Sequence, residues 1–111
     1  MNIIDKRDDI VMDLVFQALS SSDRRDILKM VARGDPRNRD EFLPDEVDDE
    51  ELTRRVVLLE HQHFPYLDNA GFINWDSRAD TVERGPNFDK LQPFLGILLN
   101  DTDRIREVLR N

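Results

Sequence analysis

The side chains able to do chemistry in this sequence are arginines, histidines and carboxylates, because none of its 111 residues is a cysteine. The lack of thiols excludes disulfides, thiolate metal sites and cysteine nucleophiles, and it leaves His61 and His63 as the only nitrogen ligands for a metal. On a helix, two residues at this spacing point about 200° apart, so they do not chelate one ion easily. We therefore expect neither a metal site nor a cofactor.

Catalytic motifs are missing from the sequence. It has no glycine-rich phosphate loop and no strand-turn-helix nucleophile motif, and only four glycines occur in the chain. With 24 acidic residues, some carboxylates fall close together by chance. Neither histidine lies in a recognisable arrangement with a nucleophile and an orienting acid. We expect a protein that is not an enzyme.

Arginine, histidine and glutamine side chains recur at helical spacing between residues 54 and 62. Arg54, Leu58 and His61 share one side of a helix, and Arg55 and Gln62 lie on its flank. Arginine neutralises a phosphate or bonds guanine with two hydrogen bonds, and glutamine pairs with adenine in the same way. The pattern predicts a surface that contacts double-stranded DNA.

A run of acidic residues comes directly before this surface. Residues 40–51 contain eight acids and no base, so the net charge of -8 comes from this run and the rest of the chain is neutral. We interpret the run as a solvated loop and helix start, with Asp48 or Asp49 as the N-cap. It lacks the spacing and turn glycine of a calcium loop. Two interpretations of Arg54 and Arg55 stay open: contact with DNA, or ion pairs with these acids.

The relative numbers of Asp, Glu, Arg and Lys also resemble those of a known group of proteins. The chain has 17 Asp, 7 Glu, 13 Arg and 3 Lys, a balance that resembles the cytosolic proteins of extremely halophilic archaea. At multi-molar salt the Debye length is about 3 Å or less, so an acidic surface repels DNA little. No apolar run is long enough to span a bilayer, and residues 1–9 lack a secretion signal. We expect a cytoplasmic protein without a membrane partner.

Apolar spacing predicts the elements that position these side chains. One helix contains Ile10, Leu14 and Ala18 and ends near Leu19, and a second spans residues 23–33 after a serine cap at Ser21 or Ser22. A short third element at residues 42–47 is interrupted by Pro44. The next helix begins after the acidic run and ends at residues 69–71, with a buried stripe made by Leu52, Val56, Leu59, His63 and Leu67. We expect His63 to be a buried structural histidine and His61 to be exposed.

Two short strands follow, at residues 72–75 and 81–84, around a turn at residues 76–80. Arg78 lies in the predicted tip and Arg84 on the returning strand, where arginines suit phosphate contact or a narrow minor groove. Helices followed by a hairpin predict an α+β fold, a winged helix-turn-helix domain. We expect a single domain over residues 1–111, with the core and wing at 10–84 and a helical extension at 86–111.

Two segments carry a family resemblance. LEHQHFPYLDNAGFI (residues 59–73) resembles the end of the recognition helix and the start of the wing in a haloarchaeal winged helix-turn-helix family related to the ArsR-type regulators. FQALSSSDRRDIL (residues 16–28) resembles the first helix junction of that family. The resemblance covers roughly residues 10–84 and implies this fold, DNA binding and a structural role for His63. Because the cysteine motif of ArsR-type proteins is missing, it implies no metal sensing.

The C-terminal segment has more apolar residues than a domain this small can bury. Related winged-helix regulators dimerise through terminal helices, and a two-fold dimer presents two recognition helices to DNA half-sites. We expect a homodimer whose interface includes Phe94, Leu95, Leu98, Leu99, Ile105 and Leu109. The alternative is that this segment covers the hydrophobic face of its own monomer.

Together these observations predict a sequence-specific, double-stranded DNA-binding transcriptional regulator. The residues expected to contact DNA are Arg54, Arg55, Leu58, His61, Gln62, Arg78 and Arg84. The alternative function is a winged-helix module that binds another protein and not DNA. The sequence does not specify an operator or a small-molecule effector.

Overall fold

The structure is a computed structural model that describes residues 6–94 of the chain. Two helices, α1 (Lys6–Leu19) and α2 (Ser22–Ala32), open the fold. The Ser21 hydroxyl accepts a hydrogen bond from the backbone N–H of Arg24, so Ser21 is the N-cap of α2, one of the two serines predicted. Both helices occur where the apolar spacing predicts them, although α1 begins earlier, at Lys6.

The segment between α2 and the next long helix contains little regular structure. Arg37 forms a single β-bridge with Val82, and one turn of 3-10 helix follows at Arg39–Phe42. Asn38 and Glu41 close the start of this turn as a capping box. The short third element predicted at residues 42–47 does not form: apart from Phe42, which ends the 3-10 turn, these residues are not helical. Pro44 cannot donate a backbone hydrogen bond, and apolar residues are sparse in this segment.

A continuous helical rod follows, made of α3 (Asp49–Leu58), a π-helical turn (Leu59–His63) and α4 (Phe64–Asn69). Asp48 caps it, as predicted, with its carboxylate accepting from the N–H of Glu51. The sequence predicts this helix but not its π turn. Pro65 supplies the physical reason, because it has no N–H to donate and its ring would clash with the carbonyl four residues earlier. The N–H of Phe64 reaches back five residues to Leu59.

The hairpin consists of β1 (Ile73–Asp76) and β2 (Thr81–Arg84), antiparallel, with Trp75 paired to Val82. Asp68 of α4 accepts a hydrogen bond from the Trp75 backbone N–H, which ties the rod to the hairpin. After β2 a 3-10 turn (Phe88–Leu91) returns to the core. Predicted and observed strands differ only at β1, which starts and ends one residue later than predicted.

The core lies where α2, α4 and the hairpin meet. Its largest fully buried side chains include Phe64, Phe72, Leu28, Leu67 and Ile73. The Phe64 ring lies 5.4 Å from that of Phe42 and 5.5 Å from that of Trp75. One aromatic cluster thus joins the 3-10 turn, the rod and the hairpin, and each aromatic pair adds about 0.5–1.5 kcal/mol beyond burial.

The described part of the chain is therefore an α+β fold of helices and a two-stranded antiparallel sheet. Among residues 6–94, no helix is both long and apolar enough to cross a membrane.

Gly71 ends the rod with φ at +80°, and a Cβ there would lie 2.5 Å from Asn87 Nδ2, which donates to the Ala70 carbonyl. Gly34 also has a positive φ, +107°, but a Cβ there meets no atom within 4 Å. We expect Gly34→Ala to cost about 1–2 kcal/mol of unfolding free energy from backbone strain. Gly71→Ala should cost about 1 kcal/mol more, because Asn87 must also give up its hydrogen bond.

Urea denaturation of the two variants measures this difference. Equal losses would show that Asn87 moves aside without cost and that its hydrogen bond contributes nothing.

Candidate nucleic-acid interface

The helical rod presents a set of exposed side chains to solvent. We call Arg54, Val57, His61 and Gln62 the α3 surface; all four are exposed, Arg54 by 57% of its side chain and Val57 by 48%. The buried stripe on the other side, including Leu59 and Leu67, sets this orientation.

Leu58 is placed differently from the sequence prediction. It is half-buried and lines a cavity beside α2, whereas Val57, one residue earlier, is exposed. The side chains of successive helical residues point about 100° apart, so Val57 faces outward where the sequence predicts Leu58. Leu58 therefore lies outside the α3 surface.

Glu51 holds both arginines of this region. Its carboxylate accepts from Arg54 Nε at 3.0 Å, from Arg54 Nη2 at 2.7 Å and from Arg55 Nε at 2.9 Å. These hydrogen bonds lower the pKa of Glu51 to about 2, with Arg54 the largest cause and Arg55 the next. Of the two interpretations that the sequence leaves open, the ion pairs with neighbouring acids are present in the folded chain. Arg54 remains more than half exposed while it makes them.

Arg55 also reaches across to α2. Its Nη1 atom lies 3.1 Å from Asp23 Oδ1, and Asp23 Oδ2 lies 3.6 Å from His63 Nε2. Arg24, the next residue, donates to His63 Nδ1 at 3.3 Å and stacks over the Tyr66 ring at 4.0 Å. A line of alternating charges and polar groups therefore connects the start of α2 to the rod.

His63 is buried, with 5% of its surface exposed, and hydrogen-bonded, as the sequence predicts for a structural histidine. Burial is the main cause that lowers its pKa, and the neighbouring Arg24 guanidinium adds to the effect, although Asp23 opposes it. Because Nδ1 accepts from Arg24, the hydrogen of the neutral ring lies on Nε2.

The two arginines predicted on the hairpin have different surroundings. Arg78 is exposed in the turn, whose backbone N–H groups at Arg78 and Ala79 are held by Asp76. The Arg84 guanidinium instead donates to the carbonyls of Val31 and Ala32 at the end of α2. Arg84 thus satisfies the last carbonyls of α2, so of the two only Arg78 points into solvent without such contacts.

The loop before the 3-10 turn contributes arginines that are paired as well. Arg37 lies 3.2 Å from Glu41, and Arg39 lies 2.6 Å from Glu60 and 3.0 Å from Asp40. The Arg39–Glu60 pair fastens this segment to the rod, whereas Asp40 and Glu41 belong to the 3-10 turn. The sequence alone could not assign these acids to particular partners.

Of the residues predicted at a dimer interface, only Phe94 lies among those described. Its ring meets that of Phe16 edge-on, with centroids 6.0 Å apart. Leu95, Leu98, Leu99, Ile105 and Leu109 lie outside the described residues. On α1, Ile10 is 60% exposed, and Met12 and Phe16 are also exposed. Met12 and Phe16, four residues apart, share one side of α1, whereas Ile10 points about 200° away from Met12. The structure thus leaves an apolar surface of Met12 and Phe16 beside Phe94.

Within the part of the chain that the structure describes, no group of three or more His, Asp or Glu side chains could hold an ion.

The stability of the fold should depend on pH through His63. The folded pKa lies below the unfolded value of 6.5, so between the two the unfolded chain binds a proton that the folded chain does not. Unfolding free energy should therefore fall as pH drops below about 6.5 and level off below the folded pKa. Urea denaturation at pH 7.5 and pH 5 measures the effect.

Two variants identify the group responsible. His63→Gln should remove most of this pH dependence, whereas His61→Gln, at an exposed position, should keep it. A pH dependence that disappears in the His61 variant and persists in the His63 variant would contradict the assignment.

Comparisons with known proteins do not identify a family for this chain. Neither the protein-family models, nor the curated proteins, nor the solved structures gave a match to the chain. The resemblance to haloarchaeal winged-helix proteins therefore depends on the two sequence segments quoted above.

Proposed function

We propose that this chain binds double-stranded DNA as a winged-helix transcriptional regulator. The observation that carries the proposal is the α3 surface: Arg54, His61 and Gln62 are exposed together on a helix that leads directly into a hairpin with the exposed Arg78 in its turn. In winged-helix proteins, side chains on such a helix enter the major groove and the hairpin contacts the backbone or minor groove. The observed order of helices and hairpin is compatible with that fold.

The ion pairs of Glu51 do not oppose the proposal. Exposed arginine–carboxylate pairs contribute little free energy because water screens them. A DNA phosphate offers the same two-oxygen geometry as a carboxylate, so Arg54 and Arg55 can exchange Glu51 for phosphate. On this view Glu51 holds both guanidinium groups in place before DNA arrives.

A homodimer is part of the proposal. The exposed Met12 and Phe16 share one side of the first helix, and Phe16 contacts Phe94, the last described residue before the apolar C-terminal segment. A second copy that covers this surface would bury side chains that water otherwise meets. The dimer would present two α3 surfaces to half-sites about one DNA turn apart.

The same apolar surface supports a second candidate function, a module that binds another protein. In that function Arg54 and Arg78 have no role, and the side chains on α1 and in the C-terminal segment carry the interaction. Measurements on DNA separate the two candidates.

Arg54→Ala should weaken duplex binding and lower the salt dependence, because each phosphate contact contributes about 0.9 to the slope of log K against log salt. Arg78→Ala should act in the same direction. Fluorescence anisotropy with genomic fragments, from low salt to about 1 M potassium chloride, gives both affinity and slope.

Lys90→Ala is the matched control, since Lys90 is an exposed cation in the 3-10 turn after the hairpin. It should leave affinity and slope unchanged. A folded protein that binds no duplex anywhere in this salt range would remove the regulator function, and sedimentation of the complex decides between one and two chains per site.

Glu51→Gln should strengthen duplex binding, because Arg54 and Arg55 no longer give up Glu51 when they contact phosphate; the salt slope should stay close to that of the unchanged protein, because the number of phosphate contacts is the same. Glu50→Gln is the control, because it removes the same charge from the same helical turn while Glu51 keeps its hydrogen bonds. It should raise affinity only through net charge. Equal affinities of the two variants would show that Glu51 does not restrain the arginines.

A further inference from the structure

One side-chain hydrogen bond joins the start of α2 to the buried side of the rod, and it depends on the protonation state of His63. Arg24 Nε donates to His63 Nδ1 at 3.3 Å. A ring nitrogen accepts a hydrogen bond only while it carries no hydrogen of its own, so this bond requires the neutral ring with its hydrogen on Nε2. The uptake of a single proton at Nδ1 therefore removes the bond.

Protonation of the ring also replaces this attraction with repulsion. Nδ1 would gain an N–H that points at the Arg24 Nε–H, so an imidazolium would face a guanidinium across 3.3 Å. The other contacts of Arg24 are an exposed hydrogen bond to the Gln17 carbonyl at 3.2 Å and the Tyr66 ring at 4.0 Å. Exposed contacts of these kinds are weak, so they do not hold Arg24 beside a second cation.

Asp23 gives the protonated ring a partner of opposite charge. Its Oδ2 atom lies 3.6 Å from His63 Nε2, on the side of the ring away from Arg24. The other charged or titratable groups around the ring are Asp26 of α2, Glu41 of the 3-10 turn and Arg55 of α3, which line the same cavity, and Tyr66 of α4, which lies under Arg24. The fold therefore offers each protonation state of His63 a different neighbour on α2.

Arg24 lies at the border of the α3 surface. Tyr66 follows Gln62 by four residues, so the two side chains lie on the same side of the rod. Because the Arg24 guanidinium lies over the Tyr66 ring, it is next to the Gln62 end of the α3 surface. Once it leaves His63, Arg24 is an additional cation beside the side chains that the proposed function assigns to DNA contact.

We infer that His63 is a proton-operated switch for Arg24. The neutral ring holds the Arg24 guanidinium against the rod, and the protonated ring pairs with Asp23 and releases it. The consequence for DNA rests on the proposed function: the released guanidinium adds one phosphate contact beside the α3 surface. Duplex binding should therefore become tighter as the pH falls through the range in which His63 gains its proton.

NMR spectra of the full chain between pH 7.5 and pH 5, without DNA, test the switch itself. At pH 7.5 the His63 ring should carry its hydrogen on Nε2, and nuclear Overhauser contacts should join Arg24 to the Tyr66 ring. These contacts should disappear with the same midpoint as the ring titration and persist in His63→Gln. A hydrogen on Nδ1, a ring that stays neutral to pH 5, Overhauser contacts that survive its protonation, or unfolding at the same midpoint by circular dichroism would overturn the inference.

Duplex binding is measured in a His61→Gln background, because the exposed His61 also gains charge in acid. Fluorescence anisotropy should show binding about threefold to tenfold tighter at pH 5 than at pH 7.5 in about 0.1 M salt, and a salt slope steeper by about 0.9, as for one added phosphate contact. Addition of His63→Gln is the control and measures what the carboxylates alone contribute. Addition of Arg24→Gln should reduce the gain to that of the control.

The two measurements separate the switch from the function. The NMR titration contains no DNA, so its failure overturns the switch and leaves the proposed function standing. Absence of duplex binding at both pH values contradicts the proposed function, and the NMR titration then still decides whether His63 releases Arg24. Duplex binding whose gain in acid equals that of the His63→Gln control, or survives Arg24→Gln, would show that Arg24 adds no phosphate contact and would overturn the coupling to DNA.

Discussion

Burial of one side of the helical rod determines which of its side chains face solvent. Phe64 and Leu67 are fully buried, and Phe64 packs against aromatic rings from the loop before the rod and from the hairpin after it. Burying a side chain of this size contributes about 1.5–3 kcal/mol, more than any exposed ion pair in the molecule can supply. The core therefore fixes the rotation of the rod, and the surface charges adjust to it.

Charged side chains in this protein are arranged in pairs of opposite sign. Arg24, His63, Asp23, Arg55 and Glu51 form a connected series that runs from α2 to the first turns of the rod. Each ion pair in it is weak by itself because it is exposed or half-exposed. In a series, however, a change in one partner alters the hydrogen bonds of the next, so Arg55 connects the cavity to Glu51, which also holds Arg54 of the α3 surface.

Periodicity and capping were enough to predict α1, α2, the rod and the hairpin, together with the caps at Ser21 and Asp48. These features depend on residues close together in the chain. The π turn escaped prediction because a proline such as Pro65 can end, kink or bulge a helix, and apolar spacing does not distinguish these outcomes. The partners of Arg55 and Arg84 escaped it as well, since Asp23 and the end of α2 are distant in sequence. The cavity lies where the predicted third element at residues 42–47 does not form a helix. Apolar spacing predicts helices and gives no information about such a gap.

Two contacts join the hairpin to α2. Arg84 binds the last carbonyls of that helix, and Val82 exchanges backbone hydrogen bonds with Arg37 just beyond it. With Asp68 holding the opposite strand, the hairpin is braced on both edges. These contacts restrain the position of the hairpin relative to the rod. Under the proposed function, a hairpin held in this way would select duplexes by the width of their grooves, and discrimination between sequences would arise at base pairs that no side chain touches.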